Sequence, residues 1–192
     1  MWKFSIEKDE YLRGIVKMKK GIEKTNVMRI LEQKKVKFQT YSYACTEAIS
    51  GVEVAEVLNK DPNQVFKTLV TVGNSKANYV FMIPVHKELD LKKAAKAVGE
   101  KSISMIKSKE LLPLTGYIHG GCSPIGMKKQ FRTTIDASAV NFDTIIFSAG
   151  KIGYQVEVAP EELKKIVRFQ LEDIVVKKMH FANIRAKCIS YY

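Results

Sequence analysis

The stretch VFKTLVTVGNSKANYVFMIPV, residues 65–85, decides the fold. Val65–Val72 and Tyr79–Val85 are dense in β-branched and aromatic side chains, and Gly73-Asn74-Ser75 between them is a turn signal, so the segment reads as two strands joined by a turn. Phe66, Val70 and Val72 make one face of the first strand apolar. Val65 and Leu69 do the same for the other, so the strand is expected to be covered on both sides. Lys67 breaks the pattern, sharing a face with Val65, Leu69 and Thr71. A buried ammonium is costly unless it is paired or used, and poor solvation favours its neutral form. Lys67 is therefore a candidate functional group, although a lysine reaching out to the sheet rim would leave the same trace.

Upstream, Thr25 is placed to cap a helix whose apolar positions are Val27, Ile30 and Leu31. Lys37–Tyr43 reads as a strand, and Ser50 with Glu53 has capping-box spacing ahead of Val54, Val57 and Leu58. Asp61-Pro62 then breaks the chain or starts a short helical turn. Downstream, Asp90 caps a helix that stops at Gly99, and Ser102–Ile106 is a short strand. Ser108 is expected to cap a brief helix ended by Pro113. Further strands are expected near Gly116–His119, Phe131–Ile135, Thr144–Ser148 and Tyr154–Val158. Pro160 opens an amphipathic helix with Leu163, Ile166 and Val167 inward. Strands outnumber helices and do not follow a regular βαβ order. The expected fold class is α+β, one domain around a mixed sheet, open or closed.

The 192 residues suffice for one substantial domain with tails, and the domain is expected over residues 24–175. Residues 1–23 and 176–192 read as basic extensions, and Met18 is a plausible alternative start. No apolar run approaches the roughly 20 residues of a membrane span, and the opening MWKFSIEKDEYLRG mixes charges too early for a signal peptide. A cytoplasmic protein is expected. Cys45, Cys122 and Cys188 form neither a disulfide framework nor a zinc spacing and read as reduced thiols. No metal or cofactor is called for. The net charge of +12 attracts polyanions, and RNA, DNA and an anionic membrane all qualify.

Two loops stand out. In Gly120-Gly121-Cys122-Ser123-Pro124-Ile125-Gly126-Met127-Lys128-Lys129, three glycines and a proline hold a tight loop. Its backbone N–H groups suit a carbonyl or phosphate, as do Lys128 and Lys129. The glycine spacing is not that of a P-loop, and an ordinary connection would read alike. Ser148-Ala149-Gly150-Lys151-Ile152-Gly153 is a second small-residue turn leaving a strand. Cys122 and nearby His119 invite a nucleophile–base reading, which depends on spatial approach rather than chain proximity. His86 and His180 have no visible partners.

Taken together, VFKTLV, LDLKKAAKAVG, TGYIHGGCSPIGMKK, TTIDASA and SAGKIGYQVEV resemble, in order and spacing, the YbaK/EbsC family of aminoacyl-tRNA deacylases, related to the editing domain of bacterial prolyl-tRNA synthetases. The resemblance runs from Thr25 to Ile174. It implies a domain around a curved mixed β-barrel with flanking helices, and a cleft for the 3′ end of a charged tRNA. The family lysine falls on Lys67 with Thr68 beside it, and its Gly-x-x-x-Pro loop falls on Gly120–Pro124. Its strand tyrosine falls on Tyr43 and its pocket serine on Ser148. Gln155 stands where the cysteine-specific branch often has aspartate, which removes a pocket charge and leaves the amino-acid preference open. Cys122 falls on a position that tolerates other residues, which argues against a protein thiol nucleophile.

Members resembling this chain use substrate assistance, in which the thiol of a misattached cysteine attacks its own ester. Lys67 is then expected to polarise the carbonyl, and backbone N–H groups of Gly120, Gly121, Cys122 and Ser123 to hold the oxyanion. Tyr43 and Ser148 would fix the aminoacyl group, and Lys128 and Lys129 would meet tRNA phosphates. Cys-tRNA(Pro) or Cys-tRNA(Cys) is the expected substrate and prolyl-tRNA synthetase a candidate partner. The alternatives are a deacylase for another small amino acid, such as Ala-tRNA(Pro) with water as nucleophile, and a non-catalytic tRNA-binding module. A membrane-surface role fits less well, because the basic ends lack a clear amphipathic helix.

Overall fold

The computed structural model describes residues 23–43 and 50–177. Residues 1–22 and 178–192 of the two basic extensions, with Met18, Cys188 and His180, lie outside the described residues, as does Cys45.

The first helix, α1 (Asn26–Gln33), starts where the Thr25 hydroxyl accepts the Met28 N–H, and it buries Val27, Met28 and Leu31. Strand β1 (Phe38–Ser42) follows. Helix α2 (Gly51–Val57) opens with the complete Ser50–Glu53 capping box. Strands β2 (Phe66–Gly73) and β3 (Asn78–Pro84) form the expected hairpin, pairing antiparallel with Lys67 opposite Ile83. Helix α3 (Leu91–Val98) is capped by the Asp90 carboxylate and ends at left-handed Gly99. Then come β4 (Ile103–Met105), α4 (Ser108–Thr115), β5 (Arg132–Asp136) and a 3₁₀ turn at Ala137–Asn141. Strands β6 (Ile145–Ser148) and β7 (Tyr154–Val158), short helix α5 (Pro160–Leu163) and strand β8 (Phe169–Glu172) complete the domain.

The strands form a five-stranded mixed sheet, β4-β2-β3-β5-β8, and a three-stranded antiparallel sheet, β1-β7-β6. In the larger sheet β5 runs parallel to β3 and β8 parallel to β5, so α+β with a mixed sheet is correct. The expected barrel is not found as a closed ring of ladders among the described residues. One isolated parallel bridge, Val65 to Ile146, joins the two sheets, and the edge strands stay separate.

Alternation along β3 explains its continuous apolar run. Val80 and Met82 enter the main core with Phe66, Val70, Phe147 and Val156, while Phe81 and Ile83 pack with Ala94, Ala95 and Val98 of α3. Each such side chain contributes about 1.5–3 kcal/mol when fully buried. No helix among the described residues is long and apolar enough to cross a membrane.

Three local expectations fail. Gly116–His119 is not a strand: Gly116 takes a left-handed conformation that ends α4, and the Tyr117 N–H is captured by the Thr115 hydroxyl. Pro113 lies inside α4 rather than at its end, and Lys107, not Ser108, is the N-cap. The helix opened by Pro160 is a single turn, with Leu163 and Val167 inward and Ile166 half-buried.

One polar cluster braces the smaller sheet. Buried Glu157 on β7 accepts from Thr144 Oγ1 at 2.5 Å, from the Tyr41 hydroxyl, and from Lys60 Nζ at 3.1 Å. Burial pushes its pKa up, but those three bonds outweigh it and hold the carboxyl below its usual range.

Candidate active site

A cleft of about 280 Å³ opens where β2 meets the other elements. Residues 65–70 form its floor. Tyr43, the start of α2, and Ser148 with Gln155 of the smaller sheet line it, as do Met105 through Leu111 in part and the loop residues His119, Gly120 and Cys122. It therefore brings together Lys67, Thr68, Tyr43, Gly120, Cys122, Ser148 and Gln155, residues drawn from sequence positions more than a hundred apart.

Lys67 is half-buried, and its Nζ donates to the Val85 carbonyl at 3.0 Å. No carboxylate forms a salt bridge with it among the described residues. Burial lowers its pKa, and the more distant charge of Glu88 opposes this. The amine thus keeps donors for a ligand. Beside it, the Thr68 hydroxyl oxygen is buried with no hydrogen-bond partner. An orphaned buried hydroxyl in a cleft wall is a position at which a ligand group or water supplies the missing bond.

Across the cleft, buried Gln155 donates from Nε2 to the Tyr43 hydroxyl at 3.4 Å, and Ser148 Oγ accepts the Gly150 N–H at 3.2 Å. Cys122 is buried, and burial pushes its thiol up to about 12, so it stays protonated at neutral pH. His119 is exposed on the cleft rim. No acidic side chain lines the cleft among the described residues, and no group of three or more His, Cys, Asp or Glu is placed there to hold a metal ion.

The two glycine-bearing loops support each other. Tyr117 is buried, and its hydroxyl donates to the Ile125 carbonyl at 2.5 Å, tying together the two ends of the loop that carries Gly120. A side chain at Gly150 would lie 2.9 Å from Tyr117 Cε1, so the second loop rests on the same ring. Gly121 packs on the backbone of Lys151 and Ile152, where a Cβ would lie 3.4 Å from the Ile152 nitrogen.

Other expected ligand contacts fall elsewhere. The Gly121 N–H is committed to the Ile118 carbonyl at 3.1 Å and is not available to an oxyanion. Ser123 is fully buried, its Oγ accepting the Ile125 N–H, and Pro124 lines a different groove. Neither Lys128 nor Lys129 lines the cleft: Lys128 Nζ lies 3.5 Å from the Pro113 carbonyl, and Lys129 lines the groove with Pro124. Among the described residues the N–H groups of Gly120 and Cys122 have no protein acceptor, so these two remain for a ligand.

Sequence reasoning missed Ser50, Gly51, Val85 and Ser108 as cleft residues. Gly51 carried a signal: glycine is a poor helix former, yet it occupies the first turn of α2. The reason is space, since a Cβ there would lie 2.5 Å from Val85 Cγ1.

Comparison with known proteins gives a consistent result. The profile of the family described as "Aminoacyl-tRNA editing domain" matches residues 46–166. A protein of Enterococcus faecalis (strain ATCC 700802 / V583) named as a candidate Cys-tRNA(Pro)/Cys-tRNA(Cys) deacylase, EbsC, is 48% identical over 161 residues, covering 83% of this chain and 98% of the relative. A proline–tRNA ligase of Shouchella clausii (strain KSM-K16) is 30% identical over 118 residues, 61% of this chain but 20% of the ligase. Among solved structures, a candidate trans-editing enzyme for prolyl-tRNA synthetase superposes with a TM-score of 0.69 at 23% identity, over 79% of this chain and 95% of that one. That likeness concerns the fold.

Proposed function

The chain belongs to the aminoacyl-tRNA editing domain family, and on that premise we propose that it deacylates mischarged tRNA, with Cys-tRNA(Pro) or Cys-tRNA(Cys) as substrate. The observation that carries this reading is the half-buried Lys67 amine, in no salt bridge among the described residues and held in one cleft with Gly120 and Cys122 of the glycine loop. An aminoacyl ester is already activated. The site has to position its carbonyl, stabilise the oxyanion and admit the right side chain.

In this reading the ester carbonyl lies between Lys67 and the N–H groups of Gly120 and Cys122, and the tRNA's terminal ribose projects from the mouth. The substrate's cysteine thiolate attacks the carbonyl carbon. The carbon–sulfur bond forms, the bond to the ribose oxygen breaks, and that oxygen takes up a proton and leaves with the tRNA. The resulting cyclic thioester is opened by water. Two features favour a nucleophile brought by the substrate. Cys122 is a protonated thiol at neutral pH, and no acidic side chain among the described lining residues could activate water. The Thr68 hydroxyl and the Gln155–Tyr43 pair would orient the aminoacyl group. Work beside prolyl-tRNA synthetase in the cytoplasm fits this substrate.

The test is a panel of tRNAs carrying cysteine, S-methylcysteine, alanine or serine. Release of cysteine alone is expected. Equal release of alanine would replace the substrate thiol by water, with His119 on the rim as its base, and release of no amino acid would refute catalysis.

A further inference from the structure

A second groove, of about 560 Å³, lies on the other side of the glycine loop. Gly120 and Cys122 face the first cleft, whereas Pro124, Ile125 and Gly126 wall the second. Around it stand Lys34 at the end of α1, Lys129 after the loop, and Lys164, Lys165 and Arg168 following α5. All five are exposed, and no acidic residue lines the groove. Lys164 and Lys165 pair with Glu161 and Glu162 at 2.6 Å, whereas Lys34, Lys129 and Arg168 form no ion pair among the described residues. Exposed i,i+3 pairs contribute little and exchange readily for a polyanion. Three separate chain segments thus converge cations on one concave surface, and Lys34, Lys129 and Arg168 among them have no carboxylate partner among the described residues.

We propose that this groove is the seat of the RNA backbone: phosphates beyond the 3′ end run along Lys34, Lys129, Lys164, Lys165 and Arg168 while the aminoacyl end turns over the glycine loop into the first cleft. The inference rests on the deacylase reading and adds to it where the body of the tRNA is held. One loop, Gly120 to Gly126, contributes to the walls of both sites, so they lie close together along the chain. Flexible lysines brought from three segments of the chain suit a repeating phosphate better than a single small anion, and the chain's net charge of +12 has the sign required. The groove fixes position and affinity and carries no base specificity.

The experiment compares the full chain with the triple variant Lys34→Gln, Lys164→Gln, Arg168→Gln. Binding of an uncharged tRNA(Pro) transcript is followed by fluorescence anisotropy from low to moderate salt. Turnover is measured on Cys-tRNA(Pro) and on the minimal ester cysteinyl-adenosine. The variant is expected to lose tenfold or more in tRNA affinity at low salt, and its slope of log K against log salt should fall by about two to three. KM for Cys-tRNA should rise with kcat little changed, and cysteinyl-adenosine should be cleaved as by the unmodified protein. Arg168→Lys, which keeps the charge, should bind close to normally. Unchanged tRNA affinity and salt slope would overturn the proposal. So would an equal loss on cysteinyl-adenosine, which would mark a structural effect, or a loss seen only when a synthetase is present, which would make the groove a protein-docking face. If the unmodified protein cleaves neither ester yet binds tRNA through these residues, the deacylase reading fails and the groove stands.

Discussion

Replacing Lys67 by methionine should slow the enzyme sharply and leave the stability of the fold nearly unchanged. The rate effect follows from the donors the amine offers. Nζ spends one on the Val85 carbonyl and has others for the substrate oxygen. A unit charge about 4 Å from a developing oxyanion contributes about 4 kcal/mol at an effective dielectric near 20. Loss of one oxyanion donor typically costs about 2.7–4 kcal/mol, or 10²–10³ in kcat. The two estimates agree, so Lys67→Met should lose about 10²–10³ in kcat on Cys-tRNA. The stability effect is a balance of two opposing contributions. Burial lowers the pKa of Lys67 below its unfolded value, so near neutral pH the unfolded chain binds the proton more tightly. The charged amine therefore costs stability there, and the cost is relieved as pH rises through the folded pKa. Methionine fills the stem's volume without the charge but strands the buried Val85 carbonyl, which offsets the gain, so its Tm at pH 7 should stay close to that of the unmodified protein. Single-turnover release of labelled cysteine, with calorimetry on the same samples, measures both. A kcat within threefold of normal would remove the lysine from the chemistry. A large fall in Tm accompanying the lost rate would mean that the amine braces the fold.

Cys122→Ala should keep Cys-tRNA cleavage within a few-fold, because a thiol pushed up to about 12 is no nucleophile at neutral pH; single-turnover rates check this. Tyr117→Phe deletes one hydroxyl, leaves the buried Ile125 carbonyl without its 2.5 Å bond, and should cost about 1–3 kcal/mol in urea unfolding. Because that bond closes the loop carrying Gly120, kcat on Cys-tRNA should fall too, with salt-dependent tRNA binding unchanged. Glu157→Gln should flatten the acid limb of the stability curve. The folded carboxyl titrates below its unfolded value, so its contribution is present above the unfolded pKa and lost as pH falls through the folded one. Thermal melts between pH 3 and pH 7 should converge for the two proteins at the acid end.

The hairpin of β2 and β3 was legible because local composition and burial agree there: β-branched residues crowd a strand covered on both faces. The caps at Thr25, Ser50 and Asp90 were legible for the same reason, since capping is a contact within one helical turn. Gly116–His119 misled because Tyr117 and Ile118 favour strands, and what overrides them is one hydroxyl from the preceding helix and a left-handed glycine. Strand β8 was missed outright. Its four residues pair in parallel with β5 across more than thirty positions, a contact no local pattern announces. In the site, Lys67 announced itself as a charge out of place. Gly51 and Val85 did not, because their role is mutual fit between segments far apart in sequence. Lys128 and Lys129 show that neighbours along the chain need not share a surface. Adjacent in sequence, they diverge in space, and Lys129 joins cations contributed by α1 and the segment after α5.

The proposed role of Lys67 depends on the absence of an acidic side chain from the described cleft lining. A carboxylate within hydrogen-bond reach would occupy the amine's remaining donors, raise its pKa and cancel its field at the carbonyl. Gln155 is polar but neutral, and its amide donates to Tyr43, so the polar wall facing the amine orients a ligand without neutralising it. In this mechanism an ammonium held in no salt bridge also favours the thiolate of a bound cysteine over its thiol. The same charge that stabilises the oxyanion thereby prepares the nucleophile, whereas alanine brings no group to be ionised. In the proposed mechanism, discrimination between two small side chains therefore comes from the sign of the field in the cleft more than from its width. A hydrophobic pocket that relies on size alone yields only about 10–200-fold per methylene.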